Sequence, residues 1–216
     1  CNQDLVSGKT ENQIGFSIYQ EWDRRWEGSE ESERITLVGR LMFKAKKKVI
    51  ANAIKDLPMK TVIEIGCGLG YTMEVFKEKG LNCTGIDVSP HAVSVCQKKG
   101  LNVKLQKAED VTENYDLVSS DGMLEHFLNF EPYALQLMRI SRSYVLLIQP
   151  NHDSFRGKTL AYLSELIRGD ANVFEYNYRI KDFIDVFHRN GFQIVGNCSI
   201  FFDVFRLLLF KKKTDI

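Results

Sequence analysis

One run constrains this chain more than any other: Val62-Ile63-Glu64-Ile65-Gly66-Cys67-Gly68-Leu69-Gly70. A short β-rich stretch runs straight into glycines at every second position, and a helical pattern resumes at Tyr71. Glycine lets the backbone turn sharply and approach a ligand with no side chain between them. A strand–loop–helix of this kind belongs to a parallel sheet covered by helices. A dinucleotide fingerprint places its third glycine three positions after the second, where Tyr71 stands here. The loop therefore points to a different ligand.

The rest of the chain supplies the sheet. From Val62 to Gly191, β-rich runs alternate with helical patterns closed by glycine, as parallel α/β units do. Strands are expected over 61–65, 82–86, 103–105, 115–119 and 144–149, and helices over 71–79, 90–99 and 132–140. Ser89 is a suitable N-cap, with Pro90 at the first helical position. The excursion from Pro150 to Tyr178 is too long for an idle loop and is expected to hold a helix over 158–168. A helix over 180–190 follows, then strands over 192–197 and 204–210 that can pair as a hairpin. The expected fold is α/β, a seven-stranded, mostly parallel sheet with a C-terminal antiparallel hairpin, helices on both faces and a helical N-terminal cap. Residues 1–58 are expected to form that cap or lid and 59–216 the binding domain, with a lid insertion at about 150–178.

Three further segments follow the glycine loop in order. Gly85-Ile86-Asp87-Val88-Ser89 puts a carboxylate at the end of strand two, where it can accept both hydroxyls of a ribose. Lys107-Ala108-Glu109-Asp110-Val111 follows strand three, and Tyr115-Asp116-Leu117-Val118 runs through Ser119 and Ser120 to Leu124-Glu125-His126. With the Gly-x-Gly-x-Gly loop, these segments resemble the class I S-adenosylmethionine-dependent methyltransferases over about 60–210. The resemblance implies S-adenosyl-L-methionine as cofactor. It also implies that Glu64 and the amides of Gly66, Cys67 and Gly68 hold the methionyl end, with Gly70 completing the loop. Asp87 would take the ribose and Val88 one adenine face, while Ala108, Glu109 and Asp110 meet the adenine edge and the backbone of Ser120 and Asp121 meets the amino group. Many relatives carry Asp where this chain has Lys107, which shifts adenine recognition toward Glu109, Asp110 or backbone carbonyls.

Methyl transfer needs an acceptor held in line, water excluded, and a proton removed when the nucleophile is weak. His126 lies inside the motif after strand four and His152 after strand five, so both are candidate general bases. Each could equally be a packed or capping side chain. Tyr19, Trp22 and Trp26 share one helical face, either an ordinary packed stripe or an aromatic wall over the mouth. Lys44, Lys46, Lys47 and Lys48 are expected to be a solvated helix face.

Composition narrows the partners. Lys plus Arg is 29 against 28 Asp plus Glu, so no global field draws the chain to nucleic acid, and none is expected as substrate. The five scattered cysteines show no metal-ligand spacing, so no metal is expected and a reducing cytosol is the simplest setting. No charged-then-apolar leader opens the chain, and its longest apolar run, over 200–210, is too short and too interrupted for a membrane span. The expected activity is methyl transfer to the oxygen, nitrogen or carbon of a small molecule. A lipid or macromolecular acceptor stays open, as does a binding module without turnover. Oligomeric state is not written in the sequence.

Overall fold

The computed structural model describes residues 22–24, 26, 37–155 and 175–213. Its elements are α1 (Leu37–Ile54), β1 (Thr61–Ile65), α2 (Tyr71–Glu78), β2 (Asn82–Asp87), α3 (Pro90–Lys98), β3 (Val103–Leu105), β4 (Tyr115–Asp121), α4 (Glu131–Arg139), β5 (Ser141–Pro150), α5 (Ile180–Arg189), β6 (Phe192–Ile200) and β7 (Phe205–Lys212). Short 3-10 turns at Ala108–Asp110 and Leu124–His126 follow β3 and β4. The seven strands lie in the order β3-β2-β1-β4-β5-β7-β6. The first five are parallel, and β7 enters antiparallel between β5 and β6. The expected architecture is therefore present.

Strand alternation sorts the core into two layers. Ile63, Val118, Val145, Leu147 and Leu208 face α4 and α5, whose Leu137, Phe183 and Phe187 close over them. On the other face, Val62, Leu117, Leu146 and Ile148 meet Ile50 and Ile54 of α1 and Phe76 of α2. Val93 and Cys96 of α3 join Met73 of α2 on this second face, over Val103. α1, which falls within the expected 1–58 cap, packs into the sheet's core through Ile50 and Ile54. The helix expected over 158–168 falls outside the described residues, as does Tyr19.

Several strands run further than residue type suggests. Ser120 and Asp121 extend β4 because the ladder to β5 continues through Leu147 and Ile148. Ser89 caps α3 as expected, its hydroxyl accepting from the Ala92 amide. At the amino ends of the strands, Asp116 staples the starts of β1 and β4. Its Oδ2 accepts from the Lys60 and Thr61 amides and from the Thr61 hydroxyl.

Those donors hold the Asp116 carboxyl down at about 2, the Lys60 amide contributing most. A carboxylate depressed by folding stabilises the protein above its unfolded value near 4, and the effect is lost as pH falls through about 2. Asp116→Ala should cost about 1–2 kcal/mol at neutral pH. In urea melts, the gap between variant and wild type should stay constant from pH 7 to 5 and narrow below pH 4.

Candidate functional site

The strand order turns back between β1 and β4, and the loops leaving their carboxyl ends diverge there, which opens a crevice. The glycine loop forms its floor. Gly66 and Gly68 hold φ of 68° and 48°, a region that side chains rarely adopt. A Cβ on Gly66 would stand 3.2 Å from the Met123 sulfur. One on Gly68 would stand 2.7 Å from Cζ2 of Trp26.

Most of the loop's own polar groups are engaged. The Gly66 and Cys67 amides both donate to the Ile86 carbonyl, and the Gly68 amide donates to Asp87 Oδ2 at 2.8 Å. The Cys96 thiol donates to the Gly68 carbonyl, and Lys99 donates to that of Leu69. The three amides expected to meet a ligand thus hold the loop in shape. Spare capacity lies instead with Glu64. Its side chain is buried on β1, and Oε2 has no hydrogen-bond partner. Burial drives its carboxyl up to about 8, and nearby Asp121 adds to this. Lys46 and the Ser119 hydroxyl, which is not placed for a full hydrogen bond, pull weakly the other way.

Asp87 closes β2. Its Oδ1 accepts from the Ser89 amide and Oδ2 from that of Gly68. Burial raises its carboxyl, against the pull of these amides. A carboxylate has about four acceptor positions, so two remain for a ligand's hydroxyls. Val88 and Ala108 are half-buried beside it, while Glu109 and Asp110 are exposed on their 3-10 turn. The Ser120 hydroxyl donates to the Ile65 carbonyl.

The Asp121 side chain is engaged within the fold. Its carboxylate takes Lys46 Nζ at 2.8 and 2.9 Å and the Thr72 hydroxyl at 2.9 Å. Lys46 is only 17% exposed, which corrects its assignment to a solvated face. Lys46, Ile50 and Ile54 recur every four residues, so the helix that buries the isoleucines turns this lysine inward too. Lys44 and Lys48 are exposed as expected, and Lys47 pairs with Glu78 near the surface.

Trp22 and Trp26 lie over the crevice. Trp22 packs edge-on against His126, with centroids 4.6 Å apart, and stacks with Trp26 at 6.0 Å. Asp23 accepts from the Ser89 hydroxyl at 2.6 Å and the His91 amide at 3.1 Å, which hold its carboxyl below the usual range. Sequence spacing indicated the stripe, but nothing in it announced that Asp23 would reach α3.

Beyond β4, Glu125 is buried with Oε2 unpartnered, and its Oε1 lies 4.0 Å from His126 Nε2. Burial raises its carboxyl to about 8. Glu125, His126 and Glu175 bring one donor atom each within 4.8 Å of one another, a grouping able to hold a cation that linear spacing does not reveal. His152 is half-buried after β5. At the same end of the sheet, the β6–β7 turn holds Phe201, Phe202 and Asp203 at positive φ, three strained non-glycine residues in succession.

These features agree with what is known of similar proteins. Residues 38–197 match the family described as "Methyltransferase domain". Among solved structures, magnesium protoporphyrin IX methyltransferase from Synechocystis PCC 6803, with bound S-adenosylhomocysteine, superposes with a TM-score of 0.68 at 19% identity, covering 94% of this chain and 96% of that one. The 1,6-didemethyltoxoflavin-N1-methyltransferase of Burkholderia thailandensis also gives 0.68, at 13% identity over 96% and 92% of the two chains. A ubiquinone biosynthesis O-methyltransferase of Pseudomonas fluorescens is 33% identical over 81 residues, 33% of this chain and 35% of that protein. The chain thus spans about a third of the length of the curated relatives it matches. The family match runs from α1 into β6 and takes in the glycine loop, Asp87 and the β4 segment: the chain belongs to the class I S-adenosylmethionine-dependent methyltransferases.

Proposed function

We propose that this chain transfers a methyl group from S-adenosylmethionine to an oxygen, nitrogen or carbon atom of a small molecule. The observation that carries this reading is the pairing, in one crevice, of a backbone cradle closed by Asp87 with a buried, unpartnered Glu64. The donor, when bound, supplies a sulfonium whose methyl is transferred in line with loss of positive charge. Glu64 is suited to the ammonium of the methionyl end and Asp87 to the ribose hydroxyls. Val88 and Ala108 flank the adenine, with Glu109 and Asp110 at its exposed edge and the backbone of Ser120 and Asp121 near the amino group. The names of the relatives, which concern quinone, porphyrin and toxoflavin chemistry, support a ring-bearing acceptor.

The acceptor half is assigned to the ends of β4 and β5. His126, packed between Trp22 and Glu125, is the proposed general base for a hydroxyl acceptor. His152 is the second candidate. The segment around Trp22 and Trp26 is proposed as a lid that excludes water once both substrates are in place. Net charge of +1 disfavours a nucleic-acid partner. Among the described residues no helix is long and apolar enough to cross a membrane. The free thiols of Cys67, Cys83, Cys96 and Cys198 favour a cytosolic setting.

Three outcomes test this reading. At about 100 times its dissociation constant, S-adenosylmethionine should stabilise the fold by roughly 2.7 kcal/mol in a thermal-shift assay, whereas NAD should not. A binding module without turnover would show the same shift yet form no S-adenosylhomocysteine across an acceptor panel.

Glu64 makes binding proton-linked. With the crevice empty its carboxyl titrates near 8 and is protonated at pH 7. A cationic ammonium favours the ionised form, so binding should release up to one proton and tighten as pH rises toward 8. Calorimetry in buffers of different ionisation enthalpy should detect this release, and Glu64→Gln should abolish it.

Trp26 and a ligand lying on Gly68 claim the same space. Cofactor should therefore shift the tryptophan emission. Gly68→Ala, strained at φ 48° and driven into the indole, should mimic that shift without ligand while cofactor affinity falls at least tenfold. Unchanged emission in both experiments would return the stripe to ordinary packing.

A further inference from the structure

β5 ends in a side chain that the fold itself does not use. Gln149 is fully buried, and neither its Oε1 nor its Nε2 has a hydrogen-bond partner. An unpaired buried amide is a standing penalty, and native structures keep few of them. Alternation along β5 fixes its direction. Val145 and Leu147 enter the layer under α4 and α5, while Leu146 and Ile148 enter the other, so Gln149 projects on the α4/α5 side at the carboxyl end of the strand.

Its polar neighbours are already engaged. Arg206, directly across the β5–β7 ladder, is held by Asp203 and Asn197. Ser120, on the same side of β4, donates to Ile65. Among the described residues, Glu125 Oε2 is another buried atom at this end without a hydrogen-bond partner. Glu125 Oε1 stands 3.3 Å from where a Cβ on Gly122 would lie, and the Gly122 amide donates to the carbonyl of Ile148, the residue before Gln149. Two buried polar side chains therefore lie at the carboxyl ends of β4 and β5, with Glu125 beside His126.

We infer that Gln149 is a specificity-determining residue: its carboxamide, together with the Glu125 carboxyl, hydrogen-bonds an uncharged hydroxyl or carbonyl substituent of the acceptor and so orients the acceptor toward the methyl group. This rests on the proposed transfer reaction. A carboxamide both donates and accepts without carrying charge, so it matches neighbouring hydroxyl and carbonyl groups and offers no counter-charge to a carboxylate or phosphate. Sites that hydrogen-bond a substrate's polar group reject analogues lacking it, because the site's own groups then stay unpaired.

The test uses the full chain as wild type and as Gln149→Leu, which keeps the bulk and removes the amide. S-adenosylhomocysteine affinity is measured first by calorimetry; failure of the wild type at this stage overturns the underlying reading before any acceptor is added. The saturated complexes are then titrated with 3,4-dihydroxybenzaldehyde, a neutral ring bearing hydroxyl and carbonyl groups. The expected result is at least tenfold weaker probe binding by the Leu variant, S-adenosylhomocysteine affinity within twofold of wild type, and a melting temperature unchanged or raised, because an unpaired buried amide has gone. A lowered melting temperature with weakened S-adenosylhomocysteine binding would make Gln149 structural and overturn the inference. Equal probe binding by both proteins, or none by the wild type, would overturn it as well.

Discussion

The crevice depends on one buried carboxylate. Asp87 ends β2 and reaches in two directions, to the Gly68 amide in the loop after β1 and to the Ser89 amide that starts α3. Without it the glycine loop would keep only the bonds of Gly66 and Cys67 to the Ile86 carbonyl as ties to the second strand, and the left-handed turn at Gly68 would have nothing to hold its amide. Burying a carboxylate is costly, which is why its carboxyl is raised, and the two amides offset part of that cost. Through Ser89 the same centre reaches Asp23, which takes the Ser89 hydroxyl and the His91 amide. Asp23 is thereby tied to the helix start that flanks the cofactor cradle, and Trp26 lies over Gly68. One acidic side chain couples loop, helix and proposed lid.

A second polar group works from the other side of β1. Lys46 of α1, Thr72 of α2 and Asp121 of β4 meet where three elements converge, so a single ion pair fixes the helix that covers the sheet to the strand that ends in the active-site turn. Glu64 lies in the same layer as Ser119, its partner across the β1–β4 ladder. Burial is what chiefly disfavours its charged form, nearby Asp121 adds to this, and the Glu64 carboxyl is raised to about 8. Lys46 already belongs to Asp121. In the proposed reading, Glu64 is the buried acid that meets an incoming ammonium.

Much of this was legible in the chain. The glycine spacing, Asp87 after β2 and the Ser89-Pro90 helix start each depend on residues a few positions apart, so pattern and turn chemistry find them. The seven strands followed from the alternation of β-rich and helical runs. Lys46 was missed because four lysines in five residues look like a charged surface, although its spacing to Ile50 and Ile54 marked the inward face. Asp116 carries a family-like motif yet works far from the crevice, tying β1 to β4 across a gap of 55 residues. Asp23 reaches Ser89 across 66 residues. Contacts of that span come from topology, and no local pattern encodes them.

The two halves of the site differ for the same reason. The cofactor half is made by backbone geometry at the ends of adjacent strands, and glycines and a strand-end acid write that geometry into sequence. The proposed acceptor half draws on side chains from β4, β5 and the segments around them, and its requirements would be met by shape and hydrogen-bond capacity. Gln149 illustrates the consequence. In the sequence it is one glutamine before a proline at the end of an apolar run, no different from a strand terminus facing water. Only the pairing of β5 with β4 on one side and β7 on the other shows that it is buried, and only the occupied state of Arg206 and Ser120 shows that the fold has left it unpaired. A sheet interior that keeps such a group at its ligand end gives up stability for recognition, and this is where specificity is to be sought in a fold whose cofactor half is so strongly fixed.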